Sequence, residues 1–401
     1  MNIAAYSLAG AAFFVSIKPA PTNVLLALCM LSVLVTSANR QRLMALLQHP
    51  VAWGALAFFV LLCVSQLYSS GSWQQASDYL SKYARLAYIP FLAAAPLCVA
   101  DARRVLYAFV SGIVLTVVLS YLNAYVPGFC TVVGLEGCGP SNNPFVFKQH
   151  ITHGFFVALG AGLMAWLAQQ WHRQGKGLVG VAGLYVLAAL AAINVLLMLD
   201  GRTGWLVLLV FPVVVFYTQF GRKGLLLAGL AVVLLAGAMV LWVPEVQGIL
   251  RSAQAEYNTW VSSGGVSAGR SGMRLTYYGR AIEAIAEQPW FGYGLGGVEG
   301  ALKLHGVAGG IFALNNPHNQ YLLFALQIGL VGLAVYLFYF WVLLKHVGGG
   351  TPAAQAFLLA FALGNLFNSF HFDMSEGVLF AIGVAVFWSG FCQPATRCPA
   401  S

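Results

Sequence analysis

Twelve long apolar runs, separated by short polar turns, constrain this chain more than any other feature. The runs cover residues 3–17, 22–38, 51–68, 84–100, 105–125, 151–170, 178–199, 203–219, 224–243, 318–345, 353–370 and 376–392. Only 8% of the 401 residues are charged, against roughly 25% in a soluble domain. So few charges cannot clothe a water-facing surface, so lipid is the solvent for most of it. The fold class is all-α and polytopic, with about twelve transmembrane helices. A transmembrane barrel would show short alternating segments instead. The first run has no basic start and no small-residue cleavage site, so it reads as a membrane helix and not as a leader.

Lys and Arg set the orientation. With the N-terminus inside, the inner loops hold ten: Arg40, Arg42, Arg103, Arg104, Arg173, Lys176, Arg222, Lys223, Lys345 and Arg397. The short outer loops hold five: Lys18, Lys82, Arg85, Lys148 and Arg202. Both termini then face the cytoplasm. The net charge of +9 belongs to loops meeting anionic membrane lipid. No nucleic-acid-binding pattern accompanies it, so nucleic acid is not an expected partner.

The chain divides into residues 1–243 (helices one to nine), 244–317 (one large outer loop) and 318–401 (helices ten to twelve and a short inner tail). A structureless loop of that length is unusual. Helices are expected over 246–262 and 272–287, the second closed by Gln288-Pro289. The glycines that follow imply a backbone that approaches something closely.

Ionisable groups at the membrane face are costly and default to functional candidates. Arg202, in a tight turn with Asp200 and Gly201, is either a snorkelling interface arginine or a phosphate-binding fork at the mouth of an outer cavity. Arg270 and Arg274 flank Ser271-Gly272 at a helix start, a ready anion site or an ordinary solvated loop. His318 begins the tenth run. It is either a satisfied interfacial histidine or a base with Asn319 and Gln320 beside it. Asp373, between the last two runs, balances the arginines, orients an acceptor hydroxyl or caps a helix near Ser375. Lys148, His150 and His153 either meet a lipid head group or anchor the interface. Cys130 and Cys138 share one outer loop, where a disulfide fits an oxidising compartment. The seven cysteines form no metal pattern. The chain also lacks a nucleotide-binding glycine–lysine loop, a zinc-protease motif and paired carboxylates in the long loop. Several fixed cations, one histidine and few acids suit a di-anionic leaving group stabilised without metal.

These residues resemble a known family. His318-Asn319, nine residues, then Gly329-Leu330-Val331-Gly332 is similar to the histidine motif of O-antigen ligases. The stretch from Arg274 through PWFGYGLG resembles the arginine and glycine-rich block of the same superfamily, and Asp200-Gly201-Arg202 its short outer turn. Asp373 falls where that family often has an aspartate. The resemblance implies a fold like membrane glycosyltransferases that use polyprenyl-linked donors. It implies an inverting, metal-independent glycosyltransferase without cofactor, in the bacterial inner membrane with a periplasmic site. Glycan would pass from undecaprenyl pyrophosphate to a sugar hydroxyl of lipid A-core in lipopolysaccharide assembly. Arg202 and Arg274 would hold the pyrophosphate, with Arg270, Lys148 and His150 assisting. His318 would act on the acceptor hydroxyl, as base or as orienting partner, with Asn319 and Asp373 in orienting roles. An O-antigen polymerase and a protein O-oligosaccharyltransferase share these motifs. The short tail after the last run argues against the latter. A transporter or permease would place charges at mid-membrane, whereas these lie at the outer edge.

Overall fold

The computed structural model describes residues 3–242, 244–264, 270–304 and 316–392. In chain order the helices are α1 (Ile3–Phe14), α2 (Pro19–Val35), α3 (Ser37–Leu46), α4 (Pro50–Ser65), α5 (Trp73–Ala93), α6 (Val99–Tyr125), α7 (Phe129–Val132) and α8 (His150–Arg173). There follow α9 (Leu178–Ile193), α10 (Thr203–Trp242), α11 (Pro244–Ser262), α12 (Arg270–Glu287), α13 (Val298–Leu304), α14 (Gln320–Leu343), α15 (Pro352–Gly364) and α16 (Met374–Phe387). No strand occurs among the described residues. The chain is an all-helical, multi-pass membrane protein.

Among the described residues seven helices are long and apolar enough to cross a bilayer: α4 with the turn that follows it, α6, α8, α9, α10, α14 and α16. The pair α2 and α3, bent by 97°, makes an eighth if taken as one broken span. This differs from the twelve runs of the sequence for physical reasons. The apolar helices α1 and α15 have 12 and 13 residues, short of the ~20 a straight span needs. Helix α5 carries Asp78, Lys82 and Arg85 and starts eleven residues before the run at 84–100. Helix α10 contains two runs at once. It folds at Gly221 (φ 59°, ψ −139°), and a Cβ at Gly224 would lie 2.0 Å from the carbonyl of Phe216. Eight residues of straight helix would separate those positions by about 12 Å, so the chain doubles back there.

The run at 318–345 is likewise not one straight helix. Gly329 sits at φ 67°, ψ −174° inside α14. Phe324 and Tyr336 bring their rings to 4.7 Å, although twelve residues of helix rise about 18 Å. The first arm of α14, before Gly329, therefore folds back against the second. A break frees backbone groups that must find partners. The glycine-rich turn after α12 supplies them: Leu330 N donates to Pro289 O at 2.7 Å, and Tyr293 N donates to Leu326 O at 2.7 Å. A Cβ at Gly329 would stand 2.1 Å from Trp290 O. On its other side this turn meets the end of α4, where Ser70 N donates to Tyr293 O at 2.9 Å. The glycines after Pro289 do allow a close approach, and what they approach is the protein's own backbone. The two expected loop helices appear as α11 and α12, within a few residues of the expected bounds.

Helices α8 and α16 are the most buried of the candidate spans. Both begin at the end of the bundle where α14 starts, and that end gathers the polar residues.

Candidate functional site

The start of α14 is held by its neighbours and not by water. Asn319 caps it, its Oδ1 accepting from Tyr321 N (3.0 Å) and Leu322 N (3.1 Å) and its Nδ2 donating to Leu366 O (2.9 Å). Gln320 N donates to Asn365 O and Asn368 O, and Gln320 Oε1 accepts from His371 N (3.0 Å) and Phe372 N (3.3 Å). The loop between α15 and α16 is thus wrapped around the first turn of α14. These bonds commit the Asn319 side chain to capping.

His318 stands just ahead of this cap with a left-handed backbone, φ 54°, uncommon for a side-chain-bearing residue. Its N–H donates to Asn316 Oδ1 at 2.8 Å, and that oxygen also accepts from Ser369 Oγ at 2.7 Å. The backbone is fixed, while no hydrogen bond engages the ring among the described residues. The Tyr277 ring lies 6.3 Å away. Burial, and then the charge of Arg274, hold the imidazole below its usual value. Both effects favour the neutral ring at pH 7.

Helix α12 delivers Arg274, Tyr277 and Tyr278 to one side of His318. Tyr278 Oη donates to Leu366 O at 3.1 Å, fastening α12 to the wrapped loop. Arg274 is half-buried and forms no ion pair among the described residues. The α12 start is not an open anion site: Glu256 Oε2 of α11 accepts from Gly272 N at 3.0 Å. A carboxylate of the chain itself answers the helix dipole there. The side chain of Arg270 lies outside the described residues.

Arg202 arrives from the opposite side, in the turn before α10. A Cβ at Gly201 would meet His150 O at 2.9 Å, so the turn is pressed onto the start of α8. Asn143 Nδ2 donates to Asp200 Oδ2 at 3.0 Å. Thr203 Oγ1 accepts from Asn368 Nδ2 at 2.9 Å, and Asn368 O accepts from Gln320 N. One side-chain and one backbone bond therefore join the Arg202 turn to the residue two beyond His318. The guanidinium of Arg202 is exposed. His150 contributes its backbone beneath Gly201, and its ring lies 5.9 Å from Phe145. His153 is buried, its ring nitrogens on Val146 (3.1 Å) and Asn194 (3.3 Å), a structural histidine.

A second set of charges lies across the start of α14. Lys148 Nζ donates to Ser375 Oγ at 2.8 Å; burial lowers this amine while Glu376 opposes the shift. The Lys82 ammonium sits 3.8 Å over the Phe372 ring, and the N–H of that phenylalanine is bonded by Gln320. Burial raises the Asp373 carboxyl against the pull of Lys82 and Arg85. Asp373 stands at the N-cap position of α16 but makes no side-chain capping bond, and its carboxylate is within electrostatic reach of Lys82 and Arg85. In the sequence, Lys82 and Arg85 counted only as outer charges. Their three-residue spacing on one face of α5, close to Tyr79 and Tyr83, is the signal that would have singled them out. The wrapped loop, with Asn365, Asn368, Ser369 and His371, also went unread, because its role appears only once α14 is in place.

Cys130 and Cys138 lie with their sulfurs bonded, 2.08 Å apart. Among the described residues no group of three or more His, Cys, Asp or Glu could hold a metal ion.

The fold and site define a polytopic helical membrane protein with an arginine- and lysine-rich site built around one histidine. Residues 186–337, less than half of the chain, match the family model described as O-antigen ligase. The match spans Arg202, Arg274 and His318, and it supports the O-antigen ligase/polymerase superfamily of glycosyltransferase-like membrane enzymes. That family implies lipid-linked glycan and lipid substrates in general. No curated protein matches the chain.

Proposed function

We propose that this chain is an inverting, metal-independent glycosyltransferase that ligates O-antigen glycan from undecaprenyl pyrophosphate to a sugar hydroxyl of lipid A-core. It would work at the periplasmic face of the bacterial inner membrane, with both termini cytoplasmic and residues 244–317 forming the outer loop. The observation that carries this reading is an imidazole with no hydrogen bond to its ring among the described residues, close enough to Arg274 to feel its charge and tied through Asn368 to the turn that bears the exposed Arg202. Arg202 and Arg274 engage the pyrophosphate, where a planar, permanently charged fork suits phosphate oxygens. Lys82, Arg85 and Lys148 add fixed positive charge near Asp373. The acceptor oxygen bonds to the anomeric carbon as the bond to pyrophosphate breaks. The electron pair leaves with the polyprenyl pyrophosphate, stabilised by these cations. The hydroxyl proton passes to the His318 ring, which is neutral and so able to accept it. Asn319, as cap, and Asp373, as counter-charge, hold the surroundings in place.

The test is reconstitution of the purified protein with undecaprenyl-pyrophosphate glycan and lipid A-core, without metal or nucleotide. Glycan on lipid A-core is the expected product. A lengthened lipid-linked glycan would instead make the chain a polymerase, and loss of activity with chelator would overturn the metal-free mechanism. His318→Ala, Arg202→Ala and Arg274→Ala should insert normally and lose transfer, by about 100-fold or more. Native transfer by His318→Ala would remove its assigned role.

A further inference from the structure

One cavity lies away from the polar site. It is a groove of about 310 Å³ on the flank of the bundle. Helices α6 and α9 form its walls, through Val114 and Val118 on one side and Leu187 and Leu190 on the other, with Met164 of α8 as floor. Both walls pack on α8, and they touch each other less than either touches α8. Tyr121 and Tyr125 line it near the end of α6, stacked with ring centroids 6.3 Å apart. The Tyr121 hydroxyl is already committed to Leu190 O at 3.0 Å. The groove therefore offers a ligand apolar surface and almost no polar partner, which excludes a sugar or a head group from it and admits hydrocarbon.

What lies beyond its end says which hydrocarbon. Just above Tyr121, α6 is tied to the polar loop that follows it: Ser120 Oγ donates to Pro144 O (2.7 Å) and Asn123 Nδ2 donates to Gly139 O (2.9 Å). The same loop holds the Arg202 turn through Asn143 and Asp200. A chain leaving the groove at Tyr125 thus emerges beside the elements that present the exposed guanidinium of Arg202. We propose that this groove seats the polyprenyl chain of the lipid-linked donor, with its phosphates turned toward Arg202. This rests on the functional reading above and adds where the lipid part of the donor is held. A volume of about 310 Å³ is that of a length of one hydrocarbon chain and not of several. A phospholipid or lipid A carries several and would leave the rest outside. Ordinary lipid-facing surface in this protein looks different: the far arm of α10 exposes Leu226, Val233 and Leu241 at 67–73%, and none of them lines this groove.

The test uses the full chain in nanodiscs of phosphatidylethanolamine and phosphatidylglycerol with a polyprenyl pyrophosphate bearing a photoreactive group in its chain. Label should concentrate on the peptides containing residues 114–126 and 187–190. Unlabelled polyprenyl pyrophosphate should compete it away, and excess phosphatidylglycerol should not. Label spread equally onto the far arm of α10, or displaced by phosphatidylglycerol, would overturn the proposal. Leu187→Trp, which fills the groove away from the polar site, should lower transfer from the long-chain donor about tenfold. Transfer from a short-chain donor should stay unchanged. Equal loss with both donors would also overturn it, since the defect would not lie in chain binding. If the wild-type chain transfers from neither donor, the functional reading fails, while the labelling pattern still decides who occupies the groove.

Discussion

Replacing Gly329 by alanine tests whether the glycines of the two sequence motifs serve the fold or the substrate. Gly329 and Gly175 both sit at φ +67°, where a side chain costs about 1–2 kcal/mol for the left-handed backbone alone. They differ in surroundings. A Cβ at Gly175 meets nothing within 4 Å, whereas at Gly329 it would lie 2.1 Å from Trp290 O and 2.4 Å from Phe291 N. These are backbone atoms of a turn that is itself bonded to the helix break through Pro289 and Tyr293, so they cannot swing aside as a side chain would. Overpacking of this kind costs about 1–3 kcal/mol more, and strain on the clasping bonds adds up to about 1 kcal/mol. Gly175→Ala should therefore cost about 1–2 kcal/mol and Gly329→Ala about 3–5 kcal/mol. The assay is denaturant or thermal unfolding of both variants in the same detergent, read by tryptophan fluorescence. Both variants carry a positive-φ cost, and the ψ of −174° at Gly329, a conformation essentially only glycine adopts, adds to it there. Equal destabilisation of the two variants would refute the clasp as the reason for Gly329.

Two further predictions separate scaffold from chemistry. Asn319→Ala removes a cap used by two N–H groups and one carbonyl, and should lower stability by about 1–2 kcal/mol; unchanged unfolding in the detergent assay would contradict it. The His318 ring should titrate below 6.5 when followed by NMR of labelled histidine. Arg274→Gln should move it upward without restoring 6.5, because burial is the larger cause. The sign for stability follows: a histidine held below its unfolded value stabilises the neutral fold above pH 6.5, and that contribution falls as the pH drops below 6.5. A wild-type titration at or above 6.5 would show that the ring is not held neutral.

Much of the architecture was legible in the chain because lipid leaves little choice. With 8% charged residues, apolar runs must become helices, and the existence of α11 and α12 followed from their periodicity. The count of spans was less legible. Folding back at Gly221 and Gly329 leaves the hydropathy of a run unchanged, so one run can be a hairpin and two runs one interrupted helix. Among the site residues, Arg202, Arg274 and His318 stood out because charge at a membrane face is costly. Lys82 and Arg85 did not, since a charge in an outer loop is ordinary until Phe372 and Asp373 are seen beside it.

The sequence by itself determined the solvent, the helical class and the residue types available for chemistry. These follow from composition and spacing along the chain. Only the tertiary structure decided which of those residues work together. Asn319 became a cap because Leu366 and the first turn of α14 consume its amide, and the start of α12 was taken by Glu256. His318 kept a free ring because its backbone alone is tied down. Partners such as Asn319 and Leu366, or Thr203 and Asn368, 47 and 165 residues apart in the chain, tie the site together, and no local pattern encodes a distance of that kind.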